Sequence, residues 1–143
     1  MATDAVPLSS VFVCLAIVAM FHWLGDFVFQ SSEIFKGKYK SYKQLLLHTG
    51  IYTLVMLVGF SITNYLLFSS FINGWALVLL ALCMAVVAGT CHNIIETITN
   101  NESVAGSCHA QYALIVIGFE QLMHAVALIT ITYTTWHQLG LDN

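Results

Sequence analysis

The sequence predicts an all-α integral membrane protein: one four-helix bundle over residues 1–143, with both termini on the non-cytoplasmic side. Three observations predict it. The chain is 59% hydrophobic and only 8% charged, with a mean hydropathy of +0.84, whereas a soluble domain carries roughly 25% charged residues. Four apolar runs, about 8–30, 44–68, 71–98 and 112–139, each reach the ~20 residues that take a helix across the hydrocarbon core. All four lysines, Lys36, Lys38, Lys40 and Lys43, fall between the first two runs, and the positive-inside rule puts that connection in the cytoplasm. At 143 residues the chain is too short for two membrane domains.

The first run follows Pro7 and is expected to be retained. MATDAVPLSS has no basic region, and the apolar stretch is longer than a signal peptide's. It runs inward, so Asp26 lies near its cytoplasmic end and His22 one turn deeper. The connection over residues 31–43 reads as a lysine loop. It serves either as a topology signal that attracts anionic headgroups, at about 1 kcal/mol per lysine, or as a guide in which Lys36 or Lys38 steers a phosphate-bearing substrate.

The second run starts at the cytoplasmic end, with His48 about a turn in. A short outer turn near Ser69–Asn73 leads to the third run, which carries His92 and Glu96 near its inner end. The following loop, TNNESVAGSCHAQ, is nearly neutral, and its Asn101–Ser103 match to a glycosylation site is fortuitous on that side. The fourth run then places Glu120 and His124 two to three turns in. Aromatic placement agrees, with Trp75 and Trp136 toward the outer interface and Tyr39, Tyr42 and Tyr112 toward the inner one.

Against this topology the polar residues form a pattern. His22/Asp26, His92/Glu96 and Glu120/His124 are spaced i,i+4, which puts each pair on one helix face. His48 joins them from the second run. At 1.5 Å per residue, most of the seven fall within a slab roughly 10–15 Å deep. A carboxylate at the centre of a membrane helix costs ~2.5–3.5 kcal/mol, so these residues need compensation. Ion pairing of each histidine with its own carboxylate, inside a satisfied core, would supply it. So would metal coordination.

Four imidazoles and three carboxylates suit one or two divalent ions, zinc, iron or manganese. Seven ligands exceed one tetrahedral zinc, leaving two metals, or one metal with carboxylates that orient the histidines. Asp26, Glu96 or Glu120, whichever does not ligate, would be a general base. Gln30 extends the first stripe by a turn and would bond a ligand or substrate, or cap the span. Tyr52, four residues after His48, reads first as a packed aromatic. Gly25, Gly89 and Gly118 each lie within three residues of a pair and would let helices approach closely. His109 and His137 read as solvent-facing. Cys14, Cys83, Cys91 and Cys108 form no CxxC and read as apolar filler. With no arginine and one basic segment, nucleic-acid binding is unsupported.

HWLGDFVFQ at 22–30, KGKYKSYKQLLLH at 36–48, CHNIIE at 91–96 and FEQLMH at 119–124 resemble an uncharacterised bacterial and phage membrane family, domain of unknown function three-three-zero-seven. Its pattern is HxxxDFxxQ, a lysine-containing loop, LLLH, HFxxD and DQxxH. The resemblance covers nearly the whole chain and implies functional positions at His22, Asp26, Gln30, His48, His92, Glu96, Glu120, Gln121 and His124. Glu96 and Glu120 depart from the family's Asp by one methylene, which alters their reach to a shared ion. The implied location is the bacterial cytoplasmic membrane.

The leading expectation is an intramembrane metal-dependent hydrolase acting on a lipid or membrane-associated substrate. The alternatives are a proton or metal-ion transporter, a haem-binding electron carrier, and an accessory subunit of a larger membrane complex. The expected partners are membrane lipid and a homo-oligomer or larger complex. The outer halves VFVCLAIVAM and WALVLLALCMAVVAG are nearly all apolar, which argues against a through-pathway.

Overall fold

The computed structural model describes residues 7–38, 40–70, 72–99 and 110–139. Five helices are described: α1 (Leu8–Trp23), α2 (Ser32–Lys38), α3 (Tyr42–Phe68), α4 (Gly74–Thr99) and α5 (Ala110–Gln138). Among the described residues there is no strand. Four helical segments, Ser9–Val28, Tyr42–Phe68, Gly74–Thr99 and Leu114–Gln138, are long and apolar enough to cross a membrane.

Two features depart from the sequence reading. The first span is not a uniform α-helix: Leu24–Val28 form a π-helical turn, closed by the Phe29 N–H on the Leu24 carbonyl at 2.9 Å. Such turns widen a helix locally and occur often at functional sites. Here the turn carries Asp26. The lysine connection is also not a plain loop. Ser31 Oγ accepts from the Ile34 N–H at 3.2 Å and caps α2. Glu33 in its first turn and lysines in its last complement the helix dipole. Its seven residues are too short for periodicity to reveal.

The helices are apolar almost all round, so length and composition cannot say which face is inside. Packing does. α3 lies against both α1 and α4, α4 also packs on α5, and α2 and the π turn pack on α3. Val18, Tyr52, Met56, Phe60, Ala81, Met84, Ala85, Ala88 and Leu128 form the central core. Large apolar side chains such as Leu54, Trp75, Leu114 and Leu122 face outward. The α3–α4 contact is close enough that a Cβ on Gly89 would collide with Thr53 Oγ1, and α1 and α3 are close enough that one on Gly59 would sit 2.8 Å from the Phe21 ring. Nothing lies near Gly118, so that glycine serves no close approach.

Trp136 is a third departure, because its side chain is not on the surface. It is buried among Cys14, Leu67, Phe68 and Leu77 and donates its indole N–H to Asn64 Oδ1 at 3.3 Å. Trp75 is 83% exposed and Tyr42 is exposed. The expectations for Tyr39, Cys108, His109 and the Asn101–Ser103 match, and for the side chain of Tyr112, lie outside the described residues.

Candidate metal centre

The ends of the spans decide where the chemistry gathers. The C-terminal end of the first span, the N-terminal ends of α3 and α5 and the C-terminal end of α4 lie at one end of the bundle. There, Asp26, His48, His92 and Glu96 each offer a ligand atom, all within 4.8 Å of one another, and all four residues are buried. Asp26 Oδ1 lies 3.2 Å from His48 Nε2 and 3.8 Å from His92 Nε2. Glu96 Oε1 lies 3.7 Å from His48 Nε2 and 3.8 Å from His92 Nε2. The two imidazole Nε2 atoms are 3.0 Å apart. A second set, His22, Asp26 and His124, shares Asp26 with the first.

Gln30 holds His48 from behind, its Nε2 donating to His48 Nδ1 at 3.3 Å; the neutral ring then carries its hydrogen on Nε2, facing Asp26, and ligation through Nε2 requires the Gln30 amide to turn so that Oε1 accepts from Nδ1. Asp26 is held by a longer chain. Gln121 Nε2 donates to Asp26 Oδ2 at 2.6 Å, and Gln121 Oε1 lies 3.0 Å from His22 Nε2. Because Oε1 only accepts, His22 Nε2 carries the hydrogen, and His22 Nδ1 accepts from the Tyr52 hydroxyl at 3.1 Å. Tyr52, His22, Gln121 and Asp26 thus form one directed series of hydrogen bonds. Partners of this kind orient a ligand and tune its basicity. Tyr52 also stacks on His92 with ring centroids 3.9 Å apart, and His92 on His124 at 4.3 Å. Its spacing of four from His48 was the sequence signal, read there as packing.

Charge reaches the cluster from α2. Lys38 Nζ is 2.6 Å from Glu96 Oε1 and 4.0 Å from Glu120 Oε1, with all three side chains buried. The lysine also stands 5.7 Å from the centre of the Phe35 ring. Lys36 is exposed on α2, and among the described residues nothing ties it to the cluster. Glu120 belongs to neither ligand set; it faces Lys38. Cys14 is buried, Cys83 exposed and Cys91 between, and none of them joins a ligand set. His137 is exposed beside Tyr133.

The residues present fit a metal ion. His92 Nδ1 and both nitrogens of His124 are buried without a hydrogen-bond partner among the described residues, and buried polar atoms are rarely left so. Two carboxylates and two imidazoles within 4.8 Å are a donor set that suits zinc, iron or manganese. A cavity of about 380 Å³ lies at the opposite end, between α3 and α4, lined by residues such as Ile62, Leu66, Leu77 and Val78. No residue of the cluster lines it.

Residues 12–141 match the sequence model of one family, described as a protein of unknown function. No curated protein and no solved structure matches the chain.

Proposed function

The chain belongs to the DUF3307 family, whose description assigns no activity, and from its own site we propose an intramembrane metal-dependent hydrolase acting on a lipid or another membrane-associated substrate. The observation that carries the reading is the buried set Asp26, His48, His92 and Glu96, with orphaned imidazole nitrogens beside it. These four residues would hold the ion. When bound, a divalent ion lowers the pKa of a coordinated water and polarises a carbonyl or phosphoryl oxygen.

The chain's own residues supply the rest. Gln30 fixes the His48 ring, and Gln121 fixes Asp26. With Asp26 and Glu96 committed as ligands, Glu120 is the remaining carboxylate for proton transfer. Lys38, between Glu96 and Glu120, supplies positive charge where an anionic group would approach. Packed apolar helices exclude bulk water around the cluster. Exposed Lys36, Lys40 and Lys43 flank this end of the bundle, which supports placing it at the cytoplasmic face of the bacterial inner membrane, with both termini opposite. A lipid headgroup or lipid-linked phosphate in that leaflet is the substrate class that fits.

A proton relay is the second reading, and the hydrogen-bonded series from Tyr52 to Asp26 favours it. The polar groups buried in the outer half are internally satisfied, however. Thr63 and Thr132 bond to carbonyls of their own helices, and Asn64 bonds to Met84 Sδ and Trp136. The 3.0 Å approach of His48 and His92 leaves no room for a porphyrin between them.

Elemental analysis of protein purified in mild detergent, beside the His92→Ala variant, tests the metal. Bound divalent ion in the wild type and its loss in the variant are expected; a metal-free wild type would end the proposal. Chelator-sensitive release of headgroup or phosphate from lipid vesicles tests hydrolysis, and proton flux in proteoliposomes without hydrolysis would favour the relay.

A further inference from the structure

Lys38 stands where a second cation would. A buried lysine is costly unless its charge is matched, and this one is matched twice, at 2.6 Å by Glu96 and at 4.0 Å by Glu120. It is brought there by construction: Ser31 caps α2, α2 packs on α3, and Lys38 occupies the last turn. Glu96 Oε1 is the shared atom. It contacts the ammonium on one side and faces His48 and His92 Nε2, at 3.7 and 3.8 Å, on the other.

Resting on the metal reading above, we infer that the centre takes a single divalent ion and that the Lys38 ammonium is its permanent second cation. Charge supports this. Asp26, Glu96 and Glu120 bring at most three negative charges. One divalent ion and one ammonium bring three positive charges, and a second divalent ion would leave a buried excess. The alternative position for a second ion is the His22, Asp26 and His124 set. There, both ring nitrogens of His22 already bond Tyr52 and Gln121, so that set lacks an available ligand on α1. The substrate's anionic group would then meet one metal and one lysine rather than two metals.

The test uses the wild-type chain in mild detergent, with zinc or manganese added to saturation. Bound metal is counted by elemental analysis, and lysine reactivity toward acetic anhydride is read by mass spectrometry. Lys36, Lys40 and Lys43 are exposed and serve as internal references. One ion per chain is expected, with Lys38 about tenfold or more less reactive than the references both before and after metal is added. Two ions per chain would overturn the inference and leave the metal reading standing. So would Lys38 becoming as reactive as its neighbours once metal binds, because the ion would then have displaced it. No bound metal would overturn both. Lys38→Met should bind one ion about tenfold more tightly, since a like charge has left the site, whereas Lys38→Arg should keep wild-type affinity. Unchanged affinity in Lys38→Met would also overturn the inference.

Discussion

His22 shows how a residue type can be read correctly and its role still depend on neighbours. Its spacing to Asp26 marks it as a ligand, yet both nitrogens are engaged, by Tyr52 and by Gln121, and it acts on Asp26 through the amide between them. Removing that amide should therefore weaken metal binding without removing a ligand. Gln121→Leu is expected to lower metal affinity by about 10–100-fold, measured by competition with a chromophoric chelator. Gln30→Leu should act in the same range through His48. Equal affinity in both variants and wild type would mean that the ligands hold their geometry unaided. His92→Ala should lose the ion altogether, because it removes one of the four converging donors of the buried set.

At the scale of elements, the contact between α3 and α4 is set by an absent side chain. A Cβ on Gly89 would run into Thr53 Oγ1, and Thr53 is itself held by the Thr49 carbonyl at 2.8 Å. Gly89→Ala is expected to destabilise the bundle by about 1–3 kcal/mol, read from unfolding in mixed micelles, with metal affinity falling because His48 and His92 sit on these two helices. Retained stability would show that Thr53 turns aside cheaply. The short α2 is the other decisive element. Ser31→Ala removes its cap, at a cost of about 1 kcal/mol, and should raise the reactivity of Lys38 toward acetic anhydride while leaving Lys36 unchanged.

For the whole molecule, the four proposed ligands lie on the first span, α3 and α4 at one end, so metal and stability should be linked. An ion that binds only the folded bundle adds about 2.7 kcal/mol at a hundred times its dissociation constant. Thermal unfolding in detergent should therefore move to lower temperature on adding chelator and recover on returning metal, with no such shift in His92→Ala. The opposite end is held differently, by the buried Trp136–Asn64 hydrogen bond within an apolar cluster. Trp136→Phe should destabilise the bundle without changing metal affinity.

The order and length of the four long helices, and the gathering of most of the seven polar side chains toward one end, are legible in the sequence alone. Apolar run length and i,i+4 spacing are local properties, and short connections make successive spans antiparallel, which settles which of their ends lie together. Tertiary structure alone decided which of those side chains meet. In the proposed centre, ligand, orienting group and counter-ion are told apart by distances between helices: 2.6 Å from Lys38 to Glu96, 3.0 Å from His22 to Gln121. In helices apolar on every side, no sequence period reports which residue will meet which across the gap. The π turn at Asp26 and the α2 helix that carries Lys38 inward were hidden for the same reason. Each is shorter than the repeat needed to reveal it, and each packs on α3.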